Sequence, residues 1–127
     1  MSEIRATTIS DETGTGPIAL TKQSAAKAWA NLQGTGTPTL QDSFNIASVT
    51  DHGAGDYSYN FTNNMANINY CYGGGGGGTG TQLVCVTNQF TDHPTTTSAI
   101  RVHVLYANGA SPWDAPRSTV SIHGDLA

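Results

Sequence analysis

Hydrophobic and polar positions alternate with a period of two in several separate stretches of this chain, and one stretch near the N-terminus follows a helical period instead. In residues 44–50, Phe44, Ile46, Ser48 and Thr50 alternate with Asn45, Ala47 and Val49, and the run Tyr57-Ser-Tyr-Asn-Phe61 alternates as cleanly. Between them lies Asp51-His-Gly-Ala-Gly-Asp56, whose glycines accept positive φ. The pattern predicts a β-hairpin with Ile46 across from Phe61 and Ser48 across from Tyr59. Residues 98–107 place Ile100, Val102, Val104 and Tyr106 on one face, with Arg101, His103 and Leu105 on the other. Asn108-Gly109 and Ser111-Pro112 end that strand, and residues 119–123 read as a short final one.

The helical stretch is 21–32. Thr21 is placed to cap it, Ala25, Ala26, Ala28 and Ala30 favour it, and Gly34 supplies a stop. Ala25, Ala28, Trp29 and Leu32 fall on one stripe while Lys22 and Lys27 point away, which makes Trp29 the expected anchor. Upstream, Ile4, Ile9, Ile18 and Leu20 stand singly among Thr, Gly and Asp. Such spacing suits an extended arm that docks on this domain or on another subunit. The expected fold is therefore mainly β: a compact antiparallel β-sandwich over 39–127, preceded by an attachment arm (1–20) and one short α-helix (21–33).

Six consecutive glycines (Gly73, Gly74, Gly75, Gly76, Gly77 and Gly78) separate Ile68-Asn-Tyr-Cys-Tyr72 from Gln82-Leu-Val-Cys-Val-Thr87. Glycine loses the most backbone freedom on folding and brings no apolar contact, so the tract reads as a displayed loop or as backbone packed on backbone. A hairpin centred near Gly78 sets Cys71 opposite Cys85, Tyr70 opposite Val86 and Tyr72 opposite Val84. That register admits a disulfide between Cys71 and Cys85, and two free thiols fit as well. Together with Tyr72, the tract is the candidate ligand-binding element, because glycine backbone follows a ligand surface closely.

Composition narrows the function. Charged residues are 11% of the 127, and the net charge of −4 with five scattered basic residues leaves no footprint for nucleic acid or anionic membrane. No apolar run approaches a membrane span, and the N-terminus lacks the basic-then-apolar pattern of a secretion signal. The four histidines (His52, His93, His103 and His123) have no tight metal-ligand spacing. His52 with Asp51 and Asp56 outlines at most a weak ion site in a hairpin loop, and His103 and His123 would meet only on adjacent strands. The glycine tract lacks the Lys-Ser/Thr of a nucleotide loop, and no Gly-x-Ser-x-Gly elbow occurs. The expectation is a non-enzymatic protein without metal or cofactor.

Several motifs are familiar. Gly16-Pro-Ile-Ala-Leu-Thr-Lys-Gln-Ser-Ala-Ala-Lys-Ala-Trp29, Gly34-Thr-Gly-Thr37, Asp42-Ser-Phe-Asn-Ile-Ala-Ser-Val-Thr-Asp51, Gly55-Asp-Tyr57 and Asn60-Phe-Thr62 together resemble a module of tail-fibre and related structural proteins of tailed bacteriophages. Arg101, Asp114 and Val120-Ser-Ile-His123 look like its closing strands. The resemblance spans nearly the whole chain and is most specific over residues 16–62. It implies a virion protein assembled in the host cytoplasm and exposed on tail or capsid. The family's module ends a longer fibre, whereas this chain starts at its own methionine without a shaft, which points to a short tail fibre, a tail tip or a capsid decoration protein. By the same resemblance the chain forms a homotrimer, with Ile4, Ile9, Ile18, Leu20 and Trp29 mediating subunit or virion attachment. The β-domain then faces host-surface polysaccharide. A soluble lectin-like module is the alternative outside the virion.

Overall fold

The computed structural model describes residues 25–78, 84–87, 95–106 and 111–127. Nine strands follow one another: β1 (Ala28–Gln33), β2 (Thr39–Phe44), β3 (Ile46–Gly53), β4 (Asp56–Phe61), β5 (Cys71–Gly77), β6 (Val84–Thr87), β7 (Ala99–Tyr106), β8 (Ser111–Pro112) and β9 (Arg117–His123). All pairings are antiparallel, in the order β2-β1-β9-β5-β6-β7-β4-β3, with β8 on β7. The path divides into two four-stranded sheets, β2-β1-β9-β5 and β6-β7-β4-β3, consistent with the expected β-sandwich. They join at one paired position, Gly75 with Cys85.

The expected helix is overturned where the structure describes it. Ala28–Gln33 is a strand paired on both sides, with β2 and with β9. Ala28, Ala30 and Leu32 are buried and Trp29 and Gln33 exposed, so the alanines serve a period of two instead of a helical stripe. Intrinsic helix propensity amounts to tenths of a kcal/mol per residue, less than two ladders of hydrogen bonds and a buried face supply. Trp29 consequently does not anchor a helix; it stands on the outer face of its sheet. Thr21–Ser24 and the arm with Ile4, Ile9, Ile18 and Leu20 lie outside the described residues.

The β3–β4 hairpin forms as expected, with Ile46 opposite Phe61. A bulge between Ile46 and Ser48 then shifts the register by one, so Val49, not Ser48, faces Tyr59. The alternating run is also cut at Asn45, whose φ of 56° turns the chain from the first sheet into the second. Its side chain holds the corner. Nδ2 donates to Lys27 O (3.0 Å) and Asn63 O (3.1 Å), and Oδ1 accepts from Asn63 N (2.7 Å). Edges β2 and β3 are thus one chain bent across the sandwich.

The core lies between the sheets. Tyr57, Tyr59 and Phe61 from β4 and Ile100, Val102 and Val104 from β7 meet Ala28, Ala30, Leu32, Val120 and Ile122 from the opposite sheet. Small alanines in β1 leave the space that three aromatic rings need. The phenols find partners unequally. Tyr70 donates to Thr96 O (2.9 Å) and Ala99 O (3.2 Å) and packs edge-on against Phe61. Tyr57 donates to Asp114 Oδ1 (2.7 Å), which also accepts from Gly55 N (2.7 Å), tying the β3–β4 turn to the segment before β9. Gly55 has φ +63° and sits so close to Val104 O and Trp113 N that a Cβ would clash with both. Tyr59 and Ser118 bring buried hydroxyls from opposite sheets near each other without a well-formed hydrogen bond.

Candidate ligand-binding face

The glycine tract is a strand, not a loop. Gly73, Gly74, Gly75, Gly76 and Gly77 pair in register with Ser121, Val120, Thr119, Ser118 and Arg117 of β9, and Gly78 follows at the strand end. Backbone packed on backbone is the alternative that holds, and alternation gives the two faces of the tract different duties. Gly74, although exposed, is hemmed in on its Cβ side, where a Cβ would lie 2.5 Å from Thr119 O and 3.1 Å from Val86 Cβ. No side chain fits there, because the first obstacle is main chain. Gly73 and Gly75 point outward and have nothing within 4 Å, and Gly77 meets only Arg117 Cβ at 3.7 Å.

This contrast makes a prediction. Gly74→Ala is expected to lower unfolding free energy by about 1–3 kcal/mol through overpacking, whereas Gly73→Ala and Gly75→Ala stay within about 0.5 kcal/mol of the parent. Urea denaturation measures both. Equal losses at positions 73 and 74 would mean that the tract is not held in this register.

The outward glycines floor a hollow of about 320 Å³ lined by Gly75, Gly76, Gly77, Arg117 and Thr119. It runs into a second of about 270 Å³ lined by Gly77, Gly78, Pro116 and Arg117. Thr119 Oγ1 donates to Gly75 O (3.2 Å) and forms part of the wall. Arg117 is exposed, belongs to both hollows and makes no ion pair with another described residue. Beyond β9 the same outer face continues through β1, where Asn31 opposes Thr119 and Trp29 opposes Ser121. On β2, Phe44 opposes Trp29 and Asp42 opposes Asn31. Trp29 and Phe44 are 36% and 51% exposed, large fractions for aromatic side chains.

Of the residues expected to bind ligand, the outward glycines line this surface and Tyr72 does not. Tyr72 pairs with Ile122 and packs partly buried against the core. The proposed Cys71–Cys85 pairing is not formed. Cys71 opposes His123 and is an exposed free thiol, while Cys85 opposes Gly75. Four residues of strand and one step across to β6 place the two cysteines about 14 Å apart, roughly twice the reach of a disulfide. The hairpin is skewed because β5 takes its full-length partner from β9, far away in sequence. Arg117, Thr119 and Phe44 went unrecognised as site residues; the alternation of Arg117-Ser-Thr-Val-Ser-Ile-His123 was the available signal.

Other polar clusters have structural partners. Asp51 caps Gly53 N (2.9 Å), His52 Nε2 shares a hydrogen bond with Ser58 Oγ (2.9 Å), and Asp56 takes a bidentate pair from Arg101 (2.8 and 2.6 Å). The three groups of the suggested ion site therefore turn to different neighbours. His103 Nε2 stands 3.4 Å from Asp56 Oδ2, and His123 Nε2 bonds Ser121 Oγ (3.1 Å) on the other sheet, so the two histidines do not meet. Among the described residues no group of three or more His, Cys, Asp or Glu is placed to hold a metal ion. Comparison with family models, with curated proteins and with solved structures gave no match.

Proposed function

We propose that this chain is a non-enzymatic structural protein of a bacteriophage virion, a short tail fibre or tail-tip component whose β-sandwich displays a host-recognition surface. The observation that carries the recognition role is the open floor of Gly73, Gly75 and Gly77 in a strand that is otherwise fully laddered to β9. A floor without side chains lets a ligand approach the main chain, and a laddered strand is already ordered. That removes most of the cost of about 1–2 kcal/mol per residue that ordering a free glycine loop on binding would carry. The virion setting rests on the resemblance of residues 16–62 to fibre modules. On that reading, Ile4, Ile9, Ile18 and Leu20 belong to the attachment segment, and a homotrimer multiplies individually weak contacts.

Labelled protein is expected to adhere to susceptible bacteria and to compete with the parent particle for adsorption. Gly75→Trp, which fills the hollow from a position open to solvent, should abolish competition while thermal unfolding stays unchanged. Antibody labelling of the particle is expected at the tail. Labelling confined to the capsid would replace this reading by a decoration protein, and no labelling of any particle would overturn it.

A further inference from the structure

We infer that the outer face of the β2-β1-β9-β5 sheet binds an acidic polysaccharide at two points, a ring stacked on Trp29 and Phe44 and a carboxylate or similar anion held by Arg117. The inference rests on the proposed recognition role and supplies its ligand class. Three observations meet on one face. Trp29 and Phe44 are directly paired across β1 and β2 and both exposed, which puts two aromatic side chains next to each other at one end as a platform for the ligand. The apolar face of a sugar ring suits such a platform, because stacking buries its C–H groups and leaves its hydroxyls outward. Between the platform and the other end stand Ser121 and Thr119, whose hydroxyls bond His123 Nε2 and Gly75 O and keep further hydrogen-bonding capacity for a hydroxyl-rich ligand.

Arg117 supplies the second point. Its guanidinium is exposed, without an ion-pair partner among the described residues, and shared by both glycine-floored hollows. The chain as a whole carries a net charge of −4, so an unpaired arginine at a side-chain-free groove is a local exception to its surroundings. A planar fork of donors favours a carboxylate or another oxyanion over a neutral group. Among the described residues of this face, the carboxylate of Asp42 lies two strands from β9, level with Asn31 and Thr119, and accepts from Ser43 N (2.8 Å). Charge therefore orients the ligand, with its anion at Arg117 and its ring at Trp29.

The geometry also sets a minimum length. Arg117 and Ser121 are four residues apart on β9, and Trp29 pairs with Ser121 one strand across. At the usual strand rise and spacing, the two points are about 14 Å apart. A single sugar does not span that gap, so an oligomer is needed, and the two contacts reinforce each other only when linked.

Isothermal titration of the full chain with size-fractionated polygalacturonate oligomers tests this. Binding is expected for oligomers and not for galacturonic acid monomer, with affinity falling as salt rises. Arg117→Gln and Trp29→Ala, both at outward positions, should each weaken binding at least about ten-fold, with circular dichroism unchanged. Neutral dextran should bind at least about ten-fold more weakly through loss of the anion, and polyphosphate through loss of the rings. Dextran binding as tightly as polygalacturonate, polyphosphate doing the same, or full affinity in Arg117→Gln would each overturn the proposal. Adhesion to host cells that persists after enzymatic removal of their polysaccharide, with no polygalacturonate binding, would overturn the ligand class and leave host recognition standing. Absence of adhesion to untreated host cells would bring down the recognition role itself.

Discussion

Raising the pH above 10 is expected to unfold this domain cooperatively, with loss of β-sheet dichroism and appearance of tyrosinate absorbance in a single transition. Three phenols are responsible. Burial pushes Tyr59 up to about 12, with the neighbouring Ser118 hydroxyl pulling weakly the other way. Burial likewise pushes Tyr70 up to about 12. Tyr57 is raised further, first by burial and then by its hydrogen bond to the Asp114 carboxylate, which resists a second negative charge beside it. In the unfolded chain each phenol titrates near 10.0. A raised folded pKa means that the native state holds these protons more tightly. The stability contributed is therefore complete below pH 10 and is lost as pH climbs through 12.

At about 1.4 kcal/mol per pKa unit, Tyr59 alone accounts for on the order of 3 kcal/mol, and Tyr70, less deeply buried and partly screened by solvent, adds a smaller share. Together these are a large part of the stability of a small domain, about 5–15 kcal/mol. Tyr59→Phe removes one titrating group and a hydroxyl that has no well-formed partner, so it should move the transition to higher pH without lowering stability at pH 7. A gradual, non-cooperative tyrosinate titration centred at pH 10, with dichroism unchanged, would show that these rings are not sealed in the core.

The Asn45 corner is the second place where one side chain carries a large effect. Asn45→Ala is expected to lower unfolding free energy by about 3 kcal/mol. About 1 kcal/mol of this comes from holding a residue with a Cβ, and no compensating amide, at positive φ. The rest comes from three hydrogen bonds lost at Lys27 O, Asn63 O and Asn63 N. Asn45→Gly removes the backbone strain but loses the same bonds, so it should cost about 2 kcal/mol. Asn45→Asp keeps the acceptor for Asn63 N but sets a carboxylate oxygen against two carbonyls, and belongs between alanine and the parent at acid pH. Urea midpoints rank the series. If glycine matched asparagine, the side-chain latch would contribute nothing and the corner would be held by backbone alone.

Local pattern decides the structure of the 46–61 hairpin and leaves that of residues 28–33 open. Ile46, Tyr57, Tyr59 and Phe61 alternate without an alternative period, and their nearest neighbour in sequence is their partner in space. Residues 28–33 satisfy two periods at once, since Ala28, Ala30 and Leu32 form an inward row of a strand while Ala28, Trp29 and Leu32 form a helical stripe. Pairing with β9, nearly ninety positions further along the chain, decided between them: Ala28 meets Ile122 and Leu32 meets Ser118. The same strand decided the fate of the glycines. Nothing local in six glycines selects a ladder, and the selection is made by Arg117–His123 lying against them.

The sequence alone determined that this is a mainly β domain, that 100, 102 and 104 face its core, and that chain 46–61 doubles back on itself. These follow from short-range alternation, which backbone geometry converts directly into buried and exposed faces. Tertiary structure alone decided which sheet each strand joins and what the glycines do. It also brought Arg117, Thr119, Trp29 and Phe44 to one surface. Those outcomes depend on contacts between residues far apart in the chain, whose formation rewards burial of the whole core and leaves no periodic trace at either partner.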